Sequence, residues 1–384
     1  MKIFYSLFII VCFIGCVNSQ KEEDDVRNKD SYLSKVGEVV VSLDNLSTYE
    51  FYNAALIHDG SKEFLYNLNY INYSIDVYDA SIGKIIKRIP IHKGGPTGIN
   101  MLQGFTVVNK DSIFIFERFK LDGSILIDGE GNFKNKIRAQ TVDTELQGLL
   151  NHLSDISNKS YFINNKLYFS RYLLGKDSNG FMNFTGEGHF NINTGKIEFV
   201  KSIHPPEIYG KIPSLQSEGS YSRIKIDEYN WLMSWHYSDS IENYIQTDTA
   251  MTITRYYASV KDYIQYEPSI SLANEYDNRK LKFESHSFGA IYYHDKSRTY
   301  HRIVYLPLEF NPSDHIKENP FLLKNFSILS FDEYFNIIGV SHFKSKVYDP
   351  RLIIVGEKGL YIPRSNPKNK SLNEDELVYD IYSN

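Results

Sequence analysis

The chain has 384 residues, a formal net charge of −5, 30 tyrosines and 24 phenylalanines, but only two cysteines. No basic block stands out, which excludes the electrostatic footprint of a nucleic-acid-binding protein. Cys12 and Cys16 are the two cysteines, so the body of the chain offers neither a thiol nucleophile nor cysteine-ligated zinc.

The first predicted element is the apolar run Ile3–Gly15, preceded by Lys2. As a helix it rises roughly 20 Å, too short for a hydrocarbon core about 30 Å thick. A short positive segment, an apolar run and a small residue before the cut describe a secretory signal. The closing "FIGC" resembles a lipobox, the bacterial site at which a cysteine is acylated and becomes the mature N-terminus. Phe13 stands where that motif usually has Leu. An ordinary secretory signal is the alternative, but no cysteine follows Cys16 in a chain bound for a disulfide-permissive compartment. The expectation is a signal over residues 1–15 and lipidation at Cys16. Residues 16–34 are polar and charged and read as a flexible acidic tether. Within them "KEEDD" resembles the export signal of Bacteroidetes surface lipoproteins. This predicts lipid anchorage at the outer membrane, facing the cell surface, with the periplasmic face as the alternative.

From residue 35 to 384 the chain reads as one domain. Its recurrent unit is a strand, a tight turn carrying Asp or Asn and often Gly, and a second strand. "YSIDVYDASIGKIIKRIPI" shows it around Asp79 and Gly83, "SILIDGEGNFKNKIRA" around Asp128 and Gly131, and "GHFNINTGKIEFVKSI" around Asn193 and Gly195. "FSILSFDEYFNIIGVSHF" is a degenerate copy at Asp332. Asp and Asn bond their own backbone in turns, and Gly supplies positive φ. The flanks alternate as half-buried strands do. A fifth unit fits near "RYYASVKDYIQ" and a sixth fits "RLIIVGEKGLYIPRSN…ELVYDIYS". "TELQGLLNHLSDI" is the best short helix, and no amphipathic helix of several turns follows the signal. The fold class is therefore all-β, a six-bladed β-propeller, with seven or eight shorter blades as the alternative. Ring closure requires the strand near Glu38–Leu43 to pair with the blade built from the C-terminus.

The lipobox, "IDVYDASIGKIIKRI", "HKGGPTGIN", "NKDSIFIF" and "LIDGEGNFKNKI" together resemble a Bacteroidetes family of TolB-like six-bladed β-propeller lipoproteins classed as a domain of unknown function. The resemblance is clearest over Val39–Ala139. It implies the fold and the envelope location, and it carries no catalytic residues.

Candidate chemistry is sparse. "ESHSFGAIYYHD" holds Glu284, His286, His294 and Asp295, but the two histidines are about 27 Å apart along a strand and cannot share a metal. No metal site and no cofactor are predicted. "HKGGPTGIN" lacks the ending of a phosphate loop and reads as an inter-blade loop whose glycines approach the channel. Glu187 and His189 fall just before a predicted strand and read as turn residues. "DSI" at Asp111 and Asp239 and "DTA" at Asp248 resemble Bacteroidetes O-glycosylation sequons, though "DSIFIF" also reads as strand entry. "NWLMSWHYSD" carries both tryptophans. Trp231, Met233 and Trp235 share a strand face, suited either to filling an inter-blade gap or to stacking on a ligand. The ligand-binding candidates are Trp235, His236, Tyr237 and Asp239, close to a channel mouth. The predicted function is a monomeric, membrane-anchored, non-catalytic binding module for a glycan or peptide. The alternative is a propeller-based hydrolase or lyase with its active site at that mouth. Acids and histidines converging on one mouth would favour the enzyme, and an aromatic-lined mouth without them the binder.

Overall fold

A computed structural model describes residues 31–384 except 119, 139, 142–151, 153, 172–185, 201–202, 204, 208, 210–220, 248–250, 265–274 and 316. Cys16, the signal, Asp248 and most of "TELQGLLNHLSDI" lie outside the described residues. Among the described residues, twenty-five strands form six antiparallel sheets arranged as the blades of a propeller. Blade 1 contains β2–β5 (Ala54–Asp59, Lys62–Asn69, Ser74–Asp79, Lys84–Pro90). Blade 2 contains β6–β9 (Leu102–Asn109, Ser112–Glu117, Ile125–Ile127, Phe133–Lys136). Blade 3 contains β11–β14 (Tyr161–Ile163, Lys166–Ser170, Glu187–Asn191, Lys196–Phe199), with the two-residue β10 (Gln140–Thr141) parallel to its outer strand. Blade 4 contains β15–β18 (Tyr221–Lys225, Asn230–Trp235, Ser240–Gln246, Met251–Tyr257). Blade 5 contains β19–β22 (Ser287–His294, Thr299–Tyr305, Phe326–Phe331, Ile337–Phe343).

Blade 6 joins the two ends of the chain. Its strands β23–β25 (Ile354–Gly356, Gly359–Pro363, Glu376–Ser383) take β1 (Ser34–Ser42) as the outermost strand, with Val39 opposite Tyr379 and Val41 opposite Leu377. The expected closure is present: β25 is paired on both sides and β1 forms the outer edge of the blade. The packed body begins before residue 35. Residues 31–33 lie against blade 5, with Leu33 buried and its N–H donating to Ser341 Oγ.

The recurrent turn proves to be one fixed element, the link from third to fourth strand of a blade. Asp79 and Asp128 accept backbone N–H bonds inside it, while Gly83 and Gly131 supply positive φ. In blade 3 the accepting side chain is Asn191, two residues before Asn193. In blade 5 Asp332 accepts as expected, but Phe335 occupies the left-handed region at φ 65°, which is why the motif looked degenerate. Blade 6 has no such turn because its outer strand is the N-terminus. The fifth unit lies earlier than expected. Blade 4 spans residues 221–257, so only Arg255–Tyr257 of "RYYASVKDYIQ" belongs to it.

Apolar clusters fill the gaps between successive blades, one per gap around the ring. Alternation on each strand sends neighbouring side chains into opposite gaps: Trp231 and Met233 pack toward blade 3, and Leu232 toward blade 5. One helix was not anticipated. α1 (Glu275–Glu284) is charge-rich with a weak apolar face and is held by tertiary contacts. Phe283 stacks on His315 at 4.6 Å, and Lys324 Nζ donates to the carbonyls of Lys282 and Ser285 at its C-terminal end. No helix among the described residues is long and apolar enough to cross a membrane.

Two of the buried imidazoles, His152 and His301, are enclosed by the packed body. His152 lies between the rings of Phe116 and Phe169, and His301 is hydrogen-bonded to Ser330 and Thr299. Burial pushes each pKa from 6.5 down to about 3, helped by Arg223 for His152 and by His294 for His301. Between those values the unfolded chain binds more protons, so stability is present above pH 6.5 and is lost as pH falls. Each histidine is expected to cost about 2 kcal/mol between pH 7 and pH 5. Urea unfolding at the two pH values measures this, and His152→Phe is expected to remove about one such contribution from the pH dependence. An unchanged pH dependence in that variant would contradict the assignment.

Candidate functional site: the central channel

The inner strands β2, β6, β11, β15, β19 and β23 all run the same way along the central channel. They define an upper mouth where they begin and a lower mouth where they end. Blade 3 has an inner strand of only three residues, Tyr161–Ile163. The segment before it, residues 154–160, crosses the channel. Ile156 packs in the cluster between blades 6 and 1, opposite its own blade. Ser222 Oγ of blade 4 donates to the Ser157 carbonyl, and Thr106 Oγ1 of blade 2 donates to the Ser160 carbonyl. Asp155 fixes the turn by accepting from the N–H groups of Ser157 and Asn158. Ile156 and Ser157 line cavities on both sides, so this segment is a plug between the mouths.

The upper mouth holds a cavity of about 710 Å³ and a smaller one of about 240 Å³. Most polar groups there are spent on one another. Arg351 pairs with Asp349, Tyr52 donates to Glu50, and Asn53 donates to Tyr70 and to the Gln103 carbonyl; Asn67 Oδ1 is left without a donor. His236 lines the smaller cavity, edge-on to Phe321, with its pKa pushed down to about 3 by burial and by the Lys324 charge. The other three candidates do not join it. Trp235 and Tyr237 are each 2% exposed and lie in the cluster between blades 3 and 4. Trp235 Nε1 donates to Glu242 at 3.0 Å. Asp239 accepts from Ser240 Oγ and lines neither cavity. Both indoles are therefore packing elements.

Other sequence candidates resolve in the same way. His286 and His294 sit at opposite ends of β19, accepting from the Ile264 N–H and bonded to Ser297 respectively. Among the described residues no group of three or more His, Cys, Asp or Glu is placed to hold a metal ion. The glycines of "HKGGPTGIN" close the loop on itself rather than approaching the channel: a Cβ on Gly98 would meet the Gly94 carbonyl at 2.1 Å. Glu187 is not a turn residue. It opens β13 and is fully buried.

The lower mouth differs in character. Its cavity of about 730 Å³ is lined by Lys159, Tyr161, Arg223, Lys225, Tyr293 and His294, with Asp295, Lys296 and Glu357 exposed at the rim. Tyr221, Arg223 and Lys225 alternate on one face of β15 and point toward blade 3. There Arg223 Nε bonds Glu187 Oε1 at 2.5 Å, and Nη1 bonds the Lys159 carbonyl. Arg223 Nη2 is buried without an acceptor. Burial raises the Glu187 pKa to about 7, against the lowering pull of Arg223. Lys225 Nζ sits 3.3 Å from the Trp231 ring centre and donates to the Glu228 carbonyl; desolvation lowers its pKa to about 7. Burial also lowers the pKa of Lys159, whose ammonium meets no hydrogen-bond acceptor among the described residues. The rim acids are engaged in part, Glu357 lying 3.6 Å from Lys296. The wall thus presents aromatic rings and cationic donors, while at the rim His58 lies between the carboxylates of Glu63 and Glu357, at 3.1 and 4.0 Å. Neither Lys159 nor Arg223 was singled out in the sequence. The available signal was "YSRIK", which places Arg223 and Lys225 on one face of a strand.

Comparisons with known proteins agree with the fold. A crystal structure of a member of the DUF4221 family from Bacteroides vulgatus aligns with a TM-score of 0.77 at 20% identity, covering 93% of this chain and 99% of that one. A putative exported protein from Bacteroides fragilis aligns with a TM-score of 0.53 at 12% identity, covering 92% and 96%. No curated protein matches the sequence. The family model described as a domain of unknown function, DUF4221, matches residues 30–340, and the chain belongs to that family.

Proposed function

We propose that the chain is a lipid-anchored envelope protein whose propeller is a non-catalytic binding module for a glycan or peptide. Its ligand is taken at the lower mouth of the channel. The observation that carries this reading is the 730 Å³ cavity walled by Tyr161 and Tyr293 and by cationic groups. A binding site needs a concave, mostly pre-formed surface with a few polar groups that fix orientation, and here β15, β19 and the plug supply rigid backbone. A hydrolase or lyase needs a general acid or base within reach of substrate. Glu187 has a raised pKa, but it is fully buried and bonded to Arg223 and Tyr221. The "FIGC" lipobox supports the anchor.

Two measurements test the reading. Cys16→Ser is expected to abolish metabolic lipid labelling and to release the chain from membranes; retained attachment would contradict the anchor. The released chain, screened against envelope glycans and peptides, is expected to bind a ligand that Tyr293→Ala weakens about tenfold, and Tyr70→Ala at the upper mouth does not. Turnover of a bound probe, or equal effects of the two variants, would contradict the module.

A further inference from the structure

The lower cavity combines features that a neutral ligand would not use. Its wall holds two cationic side chains, Lys159 from the plug and Arg223 from blade 4, tied to each other through the bond from Arg223 Nη1 to the Lys159 carbonyl. Arg223 is 1% exposed, and its one carboxylate partner, Glu187, occupies Nε and leaves Nη2 without an acceptor. Lys159 lines the same cavity, and no carboxylate among the described residues lies within ion-pair distance of it. A buried donor without an acceptor costs stability, more so when charged. The wall carries one such group, Arg223 Nη2, beside the half-buried Lys159 ammonium, and an anion would complete it.

We propose that the lower mouth is a recognition site for a short uronate-bearing oligosaccharide, whose carboxylate meets Lys159 and Arg223 at the base of the cavity. The inference rests on the binding-module reading and names its ligand class. Three observations favour an acidic sugar over an acidic peptide. The volume of about 730 Å³ suits an oligosaccharide of a few residues. The rings of Tyr161 and Tyr293 are only partly buried and flank the cavity, offering faces for stacking on sugar rings. Asp295 and Glu357 at the rim are acceptors for sugar hydroxyls but would repel a run of acidic side chains. A single carboxylate at the base with hydroxyls toward the rim matches this order of charges. Lys159 acts as a compact cation and Arg223 as a positioned planar donor.

The test is isothermal titration calorimetry on the Cys16→Ser chain with four probes: galacturonate and glucuronate trimers, the methyl-esterified galacturonate trimer, and a tri-glutamate peptide. One of the two uronate trimers is expected to bind, with affinity falling about tenfold or more on methyl esterification and in Lys159→Met, and largely restored in Lys159→Arg. Raised salt is expected to weaken the acid trimer more than the ester. Equal binding of acid and ester would overturn the carboxylate site while leaving the binding module standing. Tighter binding of the peptide than of either sugar would overturn the ligand class. Binding of a uronate trimer unaffected by both Lys159→Met and Tyr293→Ala would overturn its placement. Absence of binding by both trimers at millimolar concentration would overturn the proposal.

Discussion

Glu187→Leu is expected to destabilise the fold by about 3–5 kcal/mol, whereas Arg223→Met is expected to cost only about 1–2 kcal/mol. The two side chains form one buried pair, each no more than 1% exposed, with Arg223 Nε 2.5 Å from Glu187 Oε1. The asymmetry follows from what each partner does when left alone. A guanidinium keeps its charge at any pH the fold survives, so removing Glu187 leaves an uncompensated cation between blades 3 and 4. A lone Glu187 has an escape, because burial already raises its pKa to about 7 and protonation neutralises it. Tyr221 Oη, which donates to Glu187 Oε1, still satisfies one oxygen. The double variant Glu187→Leu/Arg223→Met is expected to recover most of the loss, since a volume-matched apolar pair replaces the charges. Urea unfolding of the three variants measures this, and equal losses in the two single variants would contradict the electrostatic account.

Trp235→Ala is expected to cost about 3–5 kcal/mol, and Trp235→Phe distinctly less. The indole packs between Tyr209 and Tyr221, with ring centres 5.7 and 4.9 Å away, so truncation leaves a large void between blades 3 and 4. It also removes the Nε1 donor to Glu242, a buried carboxylate that keeps Tyr244 Oη and Arg255 as partners. Phe refills the void and loses only that bond. Ligand affinity at the lower mouth is expected to be unchanged in Trp235→Phe, because the ring lies at the upper end of β16 and does not line the lower cavity. Calorimetry beside thermal unfolding checks both halves. A small stability loss together with lost binding would return this stretch to the candidate site.

Local chemistry explains which parts of the fold were legible. The turns at Asp79, Asp128 and Asp332 rely on bonds within five residues, so their residue types are visible in any window of sequence. The closing strand was visible because it alternates and because a ring has no other use for an isolated N-terminal strand. Blade 4 was misplaced because no glycine in the sequence marks the link between Gln246 and Met251. α1 was missed because its apolar face is nearly absent, so only contacts from Lys324 and His315 reveal it. The candidate stretch was ambiguous for a different reason. Tryptophan between blades and tryptophan at a ligand are the same letter, and only the neighbours of Trp235 distinguish them. The lower mouth joins Lys159 from the plug with Arg223 and Tyr293 from blades 4 and 5, and Glu187 is 36 residues from Arg223. No spacing rule brings such residues together. The plug "SDISNKS" begins at the end of the helix candidate "TELQGLLNHLSDI" but is not helical, and its role emerges only when Ile156 is found on the far side of the channel.

The most direct measurement is a crystal structure of the Cys16→Ser chain soaked with the uronate trimer that binds in solution. The expected result is ordered sugar in the lower mouth, with one carboxylate within hydrogen-bond distance of Lys159 Nζ and a sugar ring against Tyr161 or Tyr293. Sugar seated instead at the upper mouth beside His236, or in the lower mouth with its carboxylate turned toward the rim, would contradict the account.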